Sequence, residues 1–118
     1  MKPKSAKAKG RTLQNQLAKD IEAIFGPGMC RPRIMGESGC DLDVAPAVRY
    51  EFPYAIEAKN VESLQIWPAI RQARENAAEA QIPAVVFKKN GEQPYIVLPW
   101  QYFLTMLRAR KVVPRGTD

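Results

Sequence analysis

Prolines and glycines divide this chain into short segments, few of which are long enough for more than one helix or strand. The 118 residues include 10 prolines and 7 glycines, and the spacing of apolar residues changes from one segment to the next. A chain of this length is near the size of one ordinary domain and can form one hydrophobic core. We therefore expect a single α/β domain of the α+β kind, with the element order α-β-β-β-α-β-β-α.

Three segments place apolar residues every three or four positions, as helices do. The first covers about 12–25, where Thr12 is a candidate N-cap and Gly26 ends the periodic pattern. The second covers 66–81, is rich in alanine and has a proline in its first turn, where proline is tolerated. The third covers 100–110 and ends in positive charge, which suits a helix C-terminus.

Five further segments are short, rich in β-branched or aromatic residues and bounded by turn-forming residues, which is typical of strands. The first three are expected to form a meander, and an Asn-Gly pair is a turn signal between the last two. The five predicted strands cover 29–35, 40–46, 51–59, 83–89 and 94–99.

Composition excludes several kinds of catalytic site. The chain has no histidine, which removes Ser-His-Asp triads, Cys-His pairs and His-bound zinc. Cys30 and Cys40 are expected to be small core thiols rather than a disulfide, because neither a signal peptide nor a bilayer-spanning apolar run is evident. We expect a cytoplasmic protein with no membrane partner, whose chemistry depends on carboxylates, lysine and a hard metal ion.

The formal net charge is +6, but the basic residues concentrate at the two ends of the chain. We expect a flexible basic arm at 1–11, one domain at 12–110 and a C-terminal tail at 111–118. Basic arms neutralise phosphates, so DNA or RNA is the expected partner, although a merely solubilising tail is the alternative. The candidate contacts in the first arm are Lys7, Lys9 and Arg11.

The segment "YAIEAKN" at 54–60 places Glu57 and Lys59 on the same face of a strand, since side chains alternate between faces. If the preceding strand lies beside it, Asp41 comes close to Glu57. Two carboxylates and a backbone carbonyl are suitable ligands for Mg²⁺, and Mn²⁺ is a possible substitute. Lys59 would then orient the attacking water or stabilise negative charge on a phosphate. An exposed ion pair at a strand edge is the alternative interpretation.

Asp43 is the competing carboxylate, because it lies two residues beyond Asp41 on the same strand face. The position of Asp41 between a turn and a strand favours Asp41. Arg31 and Arg33 alternate on a neighbouring strand and are candidate phosphate contacts, with pairing to an acid across the strands as the alternative. On the second helix, Gln72 is a candidate accessory residue and Arg71 a candidate DNA contact, with an ordinary solvated surface as the alternative for both.

"SGCD" followed by "IEAK" within an αβββαβ order resembles the PD-(D/E)XK nuclease superfamily, and most closely the small Holliday-junction resolvases of archaea and phages. The resemblance covers roughly residues 9–90 and includes the "KGR" at 9–11 before the first helix. It implies a restriction-endonuclease-like core, with a central mixed sheet flanked by helices. It also implies that Asp41, Glu57 and the carbonyl of Ala58 bind Mg²⁺ while Lys59 assists the attacking water.

Two further expectations follow from the resemblance. Ser38 would belong to the turn before the catalytic aspartate, and Gln14 stands where these resolvases carry a glutamate. Either metal affinity is then lower, or Glu22 or Glu37 replaces that glutamate. The resemblance implies a homodimer. Trp67 and Trp100 flank helix starts and are expected to be core or dimer-interface residues, with base-stacking platforms as the alternative.

The expected function is therefore metal-dependent hydrolysis of phosphodiester bonds in branched DNA. Cleavage of linear, nicked or mismatched DNA by the same kind of core is the nearest alternative. A catalytically silent DNA-binding module is the alternative from another class of protein.

Overall fold

Every predicted segment forms an element of the expected type in the computed structural model, which describes residues 5–112. The architecture is α+β, with three helices and two sheets, one of them a mixed three-stranded sheet. A short 3₁₀ turn at Pro46–Val48 is the one addition to the predicted order within these residues. The elements are α1 Ala6–Phe25, β1 Cys30–Pro32, β2 Leu42–Val44, β3 Tyr54–Asn60, α2 Ile66–Asn76, β4 Ile82–Lys88, β5 Tyr95–Val97 and α3 Trp100–Val112.

Helix α1 begins six residues earlier than its sequence pattern predicts. The side chain of Ser5 accepts a hydrogen bond from the Ala8 N–H at 3.1 Å, as an N-cap does. Thr12, the predicted cap, instead donates to the Ala8 carbonyl inside the helix at 2.9 Å. Residues 6–11 of the predicted flexible arm are therefore helical, while 1–4 lie outside the described residues. At the other end, Gly26 ends the helix as predicted, with a φ of 112°.

The first three strands do not form the predicted meander. Strands β1 and β2 pair antiparallel, with Arg31 opposite Asp43. Strand β3 belongs to the other sheet, where it pairs in parallel with β4, which pairs antiparallel with β5. The link from the β2 side to β3 is a hydrogen bond from the Asp41 N–H to the Ile56 carbonyl at 2.8 Å.

The alternation predicted for β3 matches the packing of the two helices on opposite faces of the sheet. Ile56 and Ala58 pack with α1 in one core cluster, which also contains Leu13 and Leu17. On the other face, α2 packs through Ala69 and Ala73 against Val85. Glu57 and Lys59 therefore lie on the α2 face of the sheet, between a helix and a strand edge.

Helix α2 ends at Asn76, five residues before its predicted end. The alanine-rich sequence beyond it does not continue the helix, because the chain turns there to enter β4. Ala80 takes a positive φ of 72° in this turn, and the Gln81 side chain accepts from the Ala78 N–H at 2.8 Å. Helix propensity is a weak preference that such tertiary demands override.

Helix α3 extends through Val112 and so includes two residues of the predicted C-terminal tail; residues 113–118 lie outside the described part.

The prediction that Trp67 and Trp100 could lie in the core is wrong, since these side chains are 67% and 66% exposed. Cys30 and Cys40 are buried free thiols, as predicted. Within residues 5–112, the helices are too short or too polar to cross a membrane.

Candidate functional site

Asp41 lies where the β1–β2 hairpin meets the three-stranded sheet, and hydrogen bonds hold it in place on both sides. Its carbonyl accepts from the Arg33 N–H at 2.8 Å, and its N–H donates to Ile56 on β3. One carboxylate oxygen, Oδ2, accepts from the Ala58 N–H at 2.8 Å. The Asp41 side chain therefore lies at the edge of β3. This is the position expected if the chain before β3 lies beside that strand.

The backbone of Ala58 faces the same edge. The N–H and C=O of one strand residue point toward the same neighbouring strand, so the Ala58 carbonyl points to the Asp41 side of β3 rather than toward β4. Two carboxylates and this carbonyl form the oxygen donor set expected for Mg²⁺.

Glu57 is almost completely buried, with 1% of its surface exposed, and its carboxylate has a fixed orientation. The side-chain amide of Asn76 donates to its Oε1 at 2.8 Å. The pKa of Glu57 is raised to about 7, first of all by burial. The hydrogen bond from Asn76 and the charge of Lys59 lower this pKa, whereas the negative charge of Asp41 and a hydrogen bond shared with it raise the pKa.

A positive charge beside the Asp41–Glu57 pair would lower the raised pKa of Glu57. Burial and a second carboxylate both disfavour the ionised form of Glu57, and Lys59 compensates only in part. A divalent cation between the two carboxylates would supply such a charge. Among residues 5–112, His, Cys, Asp and Glu side chains do not form a group of three or more suited to a metal. The oxygen ligands available to a divalent cation here are therefore the two carboxylates and the Ala58 carbonyl, and oxygens of a bound substrate would complete the set.

Lys59 points to the same side of the sheet as Glu57, and α2 determines its position. Its Nζ donates to Oε1 of Gln72 at 2.7 Å. Gln72 and Asn76 are four residues apart and therefore share one face of α2. From this face of α2, Gln72 contacts Lys59 and Asn76 contacts the buried carboxylate of Glu57.

A cavity of about 340 Å³ opens over these groups, between the start of α1, the β1–β2 loop and α2. Asp41, Glu57 and Lys59 contribute to its lining. It also brings together most of the other residues predicted for the site from the sequence. These are Lys7, Arg11, Gln14, Arg33, Ala58 and Gln72.

Arg11 and Arg33 connect α1 to the β1–β2 loop at the cavity wall. The Arg11 guanidinium donates to the Arg33 carbonyl at 3.1 Å and to Oε1 of Gln14 at 3.4 Å. Arg33 lies over Gly39, where a Cβ would be 3.0 Å from the guanidinium carbon, and it donates to the Cys40 carbonyl. Gly39 also has a φ of 122°, so glycine allows both the turn and the close approach of Arg33.

The competing carboxylate, Asp43, does not line this cavity. Its Oδ2 is 2.8 Å from the Arg31 guanidinium, which stands opposite it in the β1–β2 ladder, and its Oδ1 is 3.9 Å from Arg33. Of the two alternatives considered for Arg31, pairing across the strands is therefore the one observed. Arg33 has both a weak contact with Asp43 and a place in the cavity lining.

The remaining predicted residues either lie away from the cavity lining or already have a hydrogen-bond partner. Glu22, one candidate to replace the first-helix glutamate, accepts from the Gly28 N–H at 2.6 Å beyond the end of α1. Glu37, the other candidate, does line the cavity, but its Oε1 accepts from the Ile34 N–H at 3.2 Å. The remaining predicted site residues that do not line the cavity are Lys9, Arg31, Ser38 and Arg71.

Sequence reasoning missed Asn76. The spacing could have identified it. Asn76 lies one helical turn beyond Gln72 and so shares its face of α2, in the same way that Glu57 and Lys59 share one face of β3. The predicted helix continued through this position, which made Asn76 look like an ordinary surface residue. It also missed Ile34 and Met35, two exposed apolar residues of the cavity lining.

We expect the Asn76→Ala substitution to raise the Mg²⁺ concentration needed for half-maximal thermal stabilisation about 10-fold to 100-fold, as loss of a residue that orients a metal ligand does. The reason is that Glu57 loses the donor that holds its Oε1. Asn15→Ala, an exposed change on α1, is the matched control. An unchanged Mg²⁺ dependence in Asn76→Ala would exclude a positioning role for this amide.

Comparison of the chain with protein-family models, with characterised proteins and with solved structures finds no match. The functional interpretation of this site therefore depends on the geometry and chemistry of its own residues.

Proposed function

We propose that this protein is a divalent-metal-dependent DNA endonuclease with a PD-(D/E)XK-type, restriction-endonuclease-like site that acts on branched DNA. The observation that carries the proposal is the convergence of Asp41, just before β2, and Glu57 on β3 beside Lys59 at one cavity. Burying the Glu57 carboxyl group beside a second carboxylate is costly, which supports a function that uses the two groups together.

Asp41, Glu57 and the Ala58 carbonyl would hold Mg²⁺, or Mn²⁺ in its place. The ion would polarise the scissile phosphate and offset the negative charge that develops on it during hydrolysis. Lys59, held by Gln72, would hydrogen-bond the attacking water or a phosphate oxygen, and so would orient the attack. Lys7 and Arg11 on the cavity wall would bind the phosphates of the same strand.

The proposal includes a homodimer, because two symmetric cuts in a branched DNA need two sites. An apolar groove of about 380 Å³ supports an interface on the α2–α3 side of the molecule. Trp67 and Trp100 line it, and Phe103 stacks on Trp100 with ring centroids 5.8 Å apart. Large exposed aromatic side chains of this kind are enriched at interfaces between proteins.

A catalytically silent DNA-binding module is the second candidate. The near-complete burial of Glu57 favours it, because a carboxyl group with a raised pKa must lose its proton before it can bind a metal ion, which weakens metal binding near neutral pH. On this alternative, the cationic residues of α1 carry DNA affinity and the carboxyl pair is structural.

The two candidates differ in a cleavage assay with a labelled four-way junction and a linear duplex of the same arm sequence. We expect the wild-type protein to cut the junction in Mg²⁺ or Mn²⁺ and to cut neither DNA in EDTA. Glu57→Ala should bind the junction without cutting it. Equal cutting of both DNAs would retain the nuclease and reject the preference for branches, whereas binding without cutting under any divalent ion would favour the silent module.

A further inference from the structure

The mouth of the cavity carries an exposed apolar pair that the carboxylates do not explain. Ile34 and Met35 are 55% and 65% exposed, and both contribute to the lining. They lie in the loop between β1 and β2. Hydrogen bonds hold this loop in shape, since the Glu37 N–H donates to the Ile34 carbonyl at 3.0 Å and the Glu37 side chain accepts from the Ile34 N–H. The apolar pair is therefore presented on a defined turn.

The cavity lining combines three kinds of chemistry. Asp41 and Glu57 supply carboxylates, Lys7 and Arg11 supply positive charge, and Ile34 and Met35 supply apolar surface. A nucleotide has matching groups, because its phosphate is anionic and the face of its base is apolar. In an intact duplex, the two faces of each base are covered by its stacked neighbours. An apolar side chain reaches a base face only where the stack is open.

We propose that this cavity accepts one nucleotide of a DNA strand whose base has left the stack. Its base contacts Ile34 and Met35, and its phosphates face Lys7 and Arg11. This inference rests on the proposed nuclease function and specifies its substrate class, namely DNA that contains an unstacked nucleotide, as at a branch point, a bulge or a flap. A base that is already unpaired enters at the lowest cost, which makes the cavity selective for such DNA.

The first test compares cleavage of a fully paired duplex with cleavage of the same duplex carrying a two-nucleotide bulge. We expect the wild-type protein to prefer the bulged DNA about tenfold, which is the low end of what an aromatic side chain contributes by stacking on a base, and the Ile34→Ser/Met35→Ser variant to lose most of this preference. Ile24→Ser is the matched control, because Ile24 is 77% exposed on α1 and does not line the cavity. Met35→Ser alone should give an intermediate preference.

The second test measures unstacking directly. A bulged DNA with 2-aminopurine beside the bulge should become brighter when the non-cleaving Glu57→Gln protein binds it, and adding Ile34→Ser/Met35→Ser should remove most of that increase. A preference and a fluorescence increase that survive the double substitution would overturn the inference while leaving the nuclease proposal in place. Loss of a dimer in the double variant, measured by sedimentation, would also overturn it, by assigning the apolar pair to protein contact. Absence of cleavage on every DNA would refute the proposed function itself.

Discussion

The substitution Glu57→Gln is expected to have opposite effects on stability and on cleavage. Glutamine has the shape of a protonated glutamate. Its oxygen can accept from Asn76, and its amide can donate to Asp41, as the shared proton does. The substitution therefore preserves the local hydrogen bonds and removes the buried negative charge. It also removes one of the two carboxylates proposed to hold the metal ion.

For stability, the pH dependence follows from the pKa of Glu57, which rises from 4.5 to about 7 on folding. Between these values the folded protein binds more protons than the unfolded chain, so stability falls as the pH rises. The loss is nearly complete about one pH unit above this folded pKa and amounts to about 3 kcal/mol for the wild-type protein. Glu57→Gln lacks this loss. In EDTA it should therefore be more stable than the wild type at pH 8 and should approach it near pH 4.

The measurement is urea unfolding in EDTA at several pH values between 4 and 8. Other groups titrate in the same range, so the informative quantity is the difference between variant and wild type at each pH. A constant difference would show that Glu57 ionises without resistance in the folded protein. Addition of Mg²⁺ at pH 8 should stabilise the wild type but not Glu57→Gln, because a ligand stabilises only the state that binds it.

For cleavage, the same substitution should reduce the rate about 10³-fold, which corresponds to the several kcal/mol that a catalytic metal contributes. A stable protein that has lost cleavage cannot be explained by unfolding. Such a result would place Glu57 among residues whose burial lowers stability in exchange for function. Retained cleavage in Glu57→Gln would refute the proposed metal site.

The substitutions Asp41→Asn and Asp43→Asn remove the same charge but are expected to have unequal effects on cleavage. Asp41 contacts Ala58 on β3, whereas Asp43 pairs with Arg31 within the hairpin. Asparagine at position 41 can still accept from the Ala58 N–H, so the local fold should persist. We expect Asp41→Asn to reduce cleavage about 10³-fold and Asp43→Asn to leave the rate within about fivefold, since a partly exposed ion pair contributes about 1 kcal/mol or less.

The comparison uses single-turnover cleavage across a range of Mg²⁺ concentrations, with thermal melting of each variant as the check on folding. A higher Mg²⁺ requirement should accompany the loss in Asp41→Asn. A larger loss of cleavage in Asp43→Asn than in Asp41→Asn would assign the metal ligand to Asp43. An equal loss in both would indicate that the hairpin as a whole, rather than one carboxylate, supports cleavage.

Local sequence patterns were sufficient for the element order and for which side chains share a face of β3. Alternation in "YAIEAKN" placed Glu57 and Lys59 together, because this pattern depends only on neighbours along the chain. Boundaries were less accurate. The capping contact of Ser5 moved the start of α1, and the turn into β4 ended α2 early at Asn76.

The tertiary structure decided which charged groups meet. Asp41, in the bend before β2, approaches Glu57 on β3, whereas Asp43, only two residues from Asp41, pairs with Arg31. The burial of Glu57, and hence its raised pKa, depends on helices that pack from distant parts of the chain. Residue type and spacing thus determined which groups were available for a site. Long-range packing determined their distances and their exposure to water, because these quantities depend on neighbours that no local pattern specifies.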